Sequence, residues 1–256
     1  MTELHGPIRD MSALGFTAGD VMTVTGGASG IGRATALTAA RAGLTVAIWD
    51  VDGEGAAETA RMCEAMGARA LAITADVADP AAVAQAWGQA SALGPCRHLV
   101  NNAGPPSNAA GPFAENLVRA LGSVEQVTSQ WLERCGEEAV SVVSIASVAG
   151  NFQGGGGAIA PFYPAAKTGI AGYTRWLATR YGGRPRANAI APGFVLTPRT
   201  APFLGNPAVA QSVARIPMGR GGYPEEVASA ILFLLSPAAS YINGVLLPVD
   251  GAMAIA

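Results

Sequence analysis

The sequence predicts an α/β fold, a doubly wound parallel sheet with helices on both faces. Three features carry this expectation: short β-branched runs that are apolar throughout rather than alternating, Ala-rich segments of helical period between them, and a glycine-rich turn joining the first strand to the first helix. In order, the strands are "VMTVT" from 21, "LTVAIW" from 44, "ALAIT" from 70, "HLVN" from 98, "AVSVVSI" from 139, "ANAIA" from 187 and "GVLLPV" from 244. The helices between them are placed at 30–42, 54–66, 80–92, 113–135, 162–181 and 224–235. No charge-rich or Ser/Pro-rich linker and no internal repeat divides the pattern, so residues 1–256 are read as a single domain with 1–19 as an N-terminal extension. Two stretches interrupt the alternation, 151–161 and 192–222. Both follow strands, at the carboxyl edge where open α/β sheets bind ligands, and 193–222 is read as a substrate-binding loop region.

Composition narrows the partners. Half of the 256 residues are apolar and 13% are charged, which fits a compact globule. Sixteen basic residues face eighteen acidic ones with no basic run, which argues against a nucleic-acid partner. The start, "MTELHGPIRDMSALGF", has no basic segment leading into an apolar stretch, and no uninterrupted apolar run reaches eighteen residues, so a cytoplasmic protein without a membrane segment is expected. Cys63, Cys96 and Cys135 are odd in number and widely spaced and read as small apolar residues; His5 and His98 suggest no metal site. Fifteen arginines accompany one lysine, Lys167, which stands four positions after Tyr163 in "FYPAAK".

In "VTGGASGIG", Gly26 allows a tight turn, Gly30 lets the backbone approach a pyrophosphate, and Gly32 permits close helix packing, while the helix amino terminus offers free N–H groups. Asp50 ends the second strand eighteen residues beyond Gly32. An acid near that distance accepts both hydroxyls of an adenosine ribose and repels a 2′-phosphate, which favours NAD over NADP. Capping of the following helix is the other use of Asp50, a task equally open to Asp52.

Residues 20–251 resemble the short-chain dehydrogenase/reductases, on "TGGASGIG" from 25, "DV" from 76, "NNAG" from 101, Ser147, "YPAAK" from 163, "IAPGFV" from 190 and "GVLLPVDG" from 244, in that family's order. The resemblance implies a nicotinamide-dependent alcohol/carbonyl oxidoreductase with a single Rossmann-like domain of seven parallel strands, assembled as a homotetramer. It implies that the cofactor is held by Thr25, Gly26, Ser29, Gly30, Ile31 and Gly32 in the turn, by Asp50 and Val51 after the second strand, and by Asp76 and Val77 beside the adenine. Asn102, Ala103 and Gly104 would lie along the cofactor, and Pro192, Gly193, Val195 and Thr197 at its nicotinamide end. Ser147, Tyr163 and Lys167 resemble the family's catalytic serine, tyrosine and lysine, the last two also meeting the cofactor.

Oxidising a secondary alcohol removes the hydroxyl proton while hydride leaves the same carbon, so a base is needed near neutral pH. A free phenol, with pKa about 10, is a poor candidate. A positive charge about 4 Å away contributes about 4 kcal/mol at an effective dielectric of about 20, enough to bring that pKa to about 7. Residues i and i+4 share a helix face, so Lys167 is expected beside Tyr163, with Pro164 at the first helical position. A compact ammonium serves the phenol and a ribose together better than a planar guanidinium does, which gives the lone lysine its reason. Ser147 is expected to donate a hydrogen bond to the substrate oxygen.

Some features depart from the family's pattern. Its helix before the fifth strand carries an asparagine that holds a water in a proton relay; "RALGSVEQV" registers Ala120 at that place, with Asn116 one turn earlier as the nearest replacement. The interval from Ser147 to Tyr163 is sixteen residues, longer than the family's spacing, and its four consecutive glycines suggest an inserted loop that shapes substrate access. Phe152, Phe162, Phe194 and Phe203 are candidates for an apolar substrate pocket or for plain core. The two loops are uncharged except for Arg199, Arg215 and Arg220, so a small neutral alcohol or ketone is the expected substrate, with Arg199 able to meet a carboxylate instead. Two other readings stand beside an NAD-dependent dehydrogenase. An NADP-dependent 3-oxoacyl-type carbonyl reductase is opposed by Asp50; a non-catalytic NAD-binding regulatory or scaffold protein is suggested by the displaced asparagine and opposed by the intact Ser, Tyr and Lys.

Overall fold

The apolar runs form strands β1 (Val21–Thr25), β2 (Thr45–Asp50), β3 (Ala70–Thr74), β4 (His98–Asn101), β5 (Ser141–Ile145), β6 (Arg186–Pro192) and β7 (Leu246–Val249). All pair in parallel in the order β3-β2-β1-β4-β5-β6-β7. The computed structural model describes residues 6, 7, 9, 11–154 and 159–256; the expectations for His5 and for most of the glycine run at 154–157 lie outside the described residues. Each parallel pair needs a crossover, supplied by helices α1 (Gly30–Arg41), α2 (Gly53–Ala65), α3 (Pro80–Ser91), α4 (Phe113–Leu117), α5 (Ser123–Cys135), α6 (Phe162–Arg180), α7 (Pro207–Ala214) and α8 (Pro224–Leu235). β1, β4, β5 and β6 are buried along their whole length, which is why their sequences do not alternate.

Two apolar layers cover the sheet. On one face Val24, Ile48 and Val143 pack with Leu37 of α1, Ala56 of α2 and Ile231 of α8; on the other Trp49, Leu99 and Val142 pack with Trp87 of α3, Trp131 of α5 and Leu177 of α6. Chain order reverses direction between β1 and β4, so the loops that leave those two strands diverge and open a crevice at their carboxyl ends. Among the described residues no helix is long and apolar enough to cross a membrane.

Three elements differ from the sequence reading. The helix expected over 113–135 is α4 and α5 joined by a π turn, Val118–Gly122, whose extra residue shifts one half of the helix against the other. Periodicity averages over such an insertion. The 192–222 stretch contains α7, which starts at Pro207 behind Asn206, whose side chain accepts from the Ala208 N–H at 2.9 Å; it buries no residue and so has no apolar stripe to announce it. α6 begins at Phe162, placing Pro164 third in the helix, where its missing N–H still costs no intrahelical bond.

At the opposite edge of the sheet His98 is buried, with Nδ1 2.9 Å from Ser141 Oγ, which itself donates to the Leu235 carbonyl at 2.8 Å. Burial, and after it the charges of Arg186 and Arg97, push the imidazole down to about 4, so it is neutral at pH 7. The unfolded chain takes up this proton near 6.5 and the folded protein only near 4, so stability is lost as pH falls across that window. In urea unfolding, His98→Asn should therefore close on the wild type by up to about 3 kcal/mol between pH 7 and pH 4.

Candidate active site

The loops leaving β1, β2, β3, β4, β5 and β6 enclose a cleft of about 760 Å³. Its floor is a stitched pair of turns. Gly26 has φ +67°, and a Cβ there would lie 2.8 Å from Asn102 Nδ2; a Cβ on Gly32 would lie 2.0 Å from the Gly26 carbonyl oxygen. Asn102 Nδ2 donates to the carbonyls of Thr25 and Gly26, both at 2.9 Å, and Thr25 Oγ1 accepts the N–H groups of Asn102 at 3.0 Å and Ala103 at 3.1 Å. Thr25 therefore acts through this framework, behind the wall of the cleft, as does Gly32.

Asp50 Oδ2 accepts the Ala28 N–H at 2.9 Å and Oδ1 the Asp52 N–H at 3.0 Å, while Asp52 caps α2 by accepting from Gly55 N–H at 3.0 Å. The cap is thus Asp52, and Asp50 is left facing the cleft with Val51. Nearby, Arg119 from the π turn reaches to 3.5 Å from Asp76, a pairing that spacing could not have shown. Gly26, Ser29, Gly30, Ile31, Asp76, Val77, Asn102, Ala103, Gly104, Ser147, Tyr163, Pro192, Gly193, Val195 and Thr197 also line the cleft; Lys167 lies beneath it.

At the far end, Lys167 Nζ donates to the Ile145 carbonyl at 2.7 Å and sits 5.5 Å from the centre of the Tyr163 ring. No other hydrogen bond to Nζ occurs among the described residues, so two of its three donors remain available. Burial pulls the ammonium down to about 8, with the charge of Arg199 adding to the effect. Burial pushes the Tyr163 phenol up, against a hydrogen bond from Ser147 and the charge of Arg199, both of which lower it. This corrects the expectation of a depressed phenol: burial outweighs the Ser147 hydrogen bond and the charge of Arg199, and it moves the two groups apart, the phenol up and the ammonium down.

Ser147 Oγ accepts the Ala149 N–H at 3.1 Å. Its backbone is held by Asn151, whose Nδ2 donates to the carbonyls of Ser147 at 2.9 Å and Lys167 at 3.1 Å. A lone Asn beside a glycine run carries no sequence signal for this role. Asn116 lines the cleft and donates to the Ala110 carbonyl at 3.1 Å, whereas Ala120, inside the π turn, is buried against Phe162 and Ala166, so the polar side chain available to the cleft is Asn116. Phe162 is core, Phe152 and Phe203 are exposed, and none of these three, nor Phe194, lines the cleft. Cys63, Cys96 and Cys135 carry free thiols that burial pushes up to about 12, 11 and 12.

The residues fit a dinucleotide. Gly30, where a pyrophosphate would approach, takes φ +53°, a carboxylate faces the cleft at the end of β2, and a buried ammonium keeps two donors free at the other end.

Comparison with known proteins agrees with this geometry. A family model described as enoyl-(acyl carrier protein) reductase matches residues 26–254. Cis-4-hydroxycyclohexanecarboxylate dehydrogenase of Sinomonas cyclohexanicum is 41% identical over 244 residues, 90% of this chain and 95% of that protein. A 3-oxoacyl-(acyl-carrier-protein) reductase of Thermotoga maritima is 32% identical, over 93% of this chain and 98% of its own. The crystal structure of levodione reductase superposes with a TM-score of 0.84 at 32% identity, covering 94% of this chain and all of that one.

Gly150 tests the clamp between the Ser147 loop and α6. Its φ is +88°, and a Cβ would lie 2.4 Å from the Pro164 carbonyl oxygen. Gly150→Ala should cost about 1–3 kcal/mol of stability in denaturant unfolding, well beyond an exposed Gly→Ala change.

Proposed function

The chain belongs to the short-chain dehydrogenase/reductase family of oxidoreductases, and within it we propose an NAD-dependent dehydrogenase that interconverts a secondary alcohol and a ketone. The observation that carries this reading is the meeting of Ser147, Tyr163 and Lys167 at one end of a cleft whose other end presents Asp50. Bound NAD supplies the hydride acceptor. Ser147 Oγ donates to the substrate oxygen, and Tyr163 Oη takes the hydroxyl proton on oxidation or returns it on reduction. Lys167, still largely protonated at pH 7, holds a ribose hydroxyl with its free donors and stabilises the phenolate. Asn116 is the amide that holds a relay water in this chain. Asp50 accepts the ribose hydroxyls and disfavours a 2′-phosphate, and Arg119, one of the two arginines lining the cleft, is already engaged by Asp76. The Sinomonas relative's substrate carries its hydroxyl on a cyclohexane ring, and we extend an alicyclic alcohol to this chain.

Tyr163→Phe should lower kcat by about 10²- to 10⁴-fold in protein of unchanged circular dichroism, measured by absorbance of reduced nicotinamide with cyclohexanol. Turnover close to wild type would remove the phenol from the mechanism. In the same assay kcat/KM with NAD should exceed that with NADP by at least about 10-fold, and Asp50→Ala should erase most of the gap. A preference for NADP would favour the oxoacyl-reductase reading that the Thermotoga relative suggests.

A further inference from the structure

Arg199 is a cation of the cleft that dinucleotide chemistry leaves unassigned. It lines the same cavity as Ser147 and Tyr163, and its charge is felt at both Tyr163 and Lys167. The other arginine of the lining, Arg119, is 3.5 Å from Asp76, and Arg220 is gripped by both carboxylate oxygens of Glu226 at 2.8 and 2.7 Å. Arg199 has no carboxylate partner among the described residues.

The backbone that carries Arg199 is fixed. Thr197 N–H donates to Thr200 Oγ1 at 2.9 Å, Thr200 N–H donates back to Thr197 Oγ1 at 3.2 Å, and Thr200 Oγ1 donates to the Val195 carbonyl. The segment is pinned again where Leu196 N–H meets the Gly222 carbonyl at 2.8 Å and Gly222 N–H meets the Phe194 carbonyl at 2.9 Å. An exposed guanidinium on a rigid base can close on a ligand at small entropic cost, and its fork matches a carboxylate.

We propose that Arg199 reads a carboxylate on the substrate, making this enzyme a dehydrogenase of hydroxy acids. Arg199 faces the same cavity as Ser147 and Tyr163 without a hydrogen bond to either among the described residues, so one substrate can meet all three. The inference rests on the dehydrogenase reading above, because it needs the carbinol at Ser147 and Tyr163. Without such a ligand the guanidinium helps the phenol ionise; the bound carboxylate offsets part of that help while fixing the substrate's orientation.

Two readouts test it. First, protein saturated with NAD is titrated calorimetrically with cyclohexanecarboxylate and with cyclohexanecarboxamide, its neutral analogue. The wild type should bind the acid at least about 10-fold more tightly, and Arg199→Met should abolish the difference. Second, the ratio of kcat/KM for 4-hydroxycyclohexanecarboxylate to that for its methyl ester should fall about 10- to 100-fold in Arg199→Met, mostly through KM, with partial recovery in Arg199→Lys. Equal binding of acid and carboxamide by the wild type, or a loss shared equally by acid and ester, overturns the inference. A shared loss with a raised KM for NAD assigns Arg199 to the cofactor phosphates instead. Failure to turn over any alcohol, cyclohexanol included, counts against the dehydrogenase reading, and the binding comparison then decides the carboxylate by itself.

Discussion

Lys167 spends one donor on the carbonyl of Ile145, the last residue of β5, and that bond fixes α6 against the edge of the sheet. The arrangement of Ser147, Tyr163 and Asn151 follows from it. Tyr163 stands one turn earlier on the same helix, Ser147 two residues beyond the strand, and Asn151 closes the loop by bonding the carbonyls of both Ser147 and Lys167. A buried ammonium without partners would be costly, and here backbone geometry supplies one acceptor and leaves two donors directed elsewhere.

The same burial sets the chemistry. It lowers an amine and raises a phenol, so each is pushed toward its neutral form; Ser147 and Arg199 pull the phenol back down, and Arg199 lowers the amine further. With arginine supplying every other basic side chain, this position falls to the one lysine, whose compact ammonium bonds a strand carbonyl while standing 5.5 Å from the centre of the Tyr163 ring. The Asp50 end of the cleft works by opposite means. There the backbone amides of Ala28 and Asp52 hold the Asp50 carboxylate, and Asn102 ties the glycine turn to the loop after β4, so the recognition surface is built from main chain rather than from mobile side chains.

The strands, their parallel pairing, most helices and many of the residues that line the cleft were legible in the sequence because each rests on a local rule: continuous apolar runs, helical spacing, a glycine turn at a strand end. What was not legible required knowing what lies across space. The π turn exchanged Ala120 for Asn116 at the cleft, since one inserted residue rotates a helix without changing its apolar average. Phe162 went to the core, Asp52 took the cap, and Asn151 joined two carbonyls twenty residues apart. The direction of the phenol's shift was likewise a tertiary matter, because desolvation depends on everything packed around a group and not on the one charge its sequence spacing brings near. The chain by itself determined which chemical groups would meet; packing alone decided how far water is kept from them, and so in which protonation state they wait.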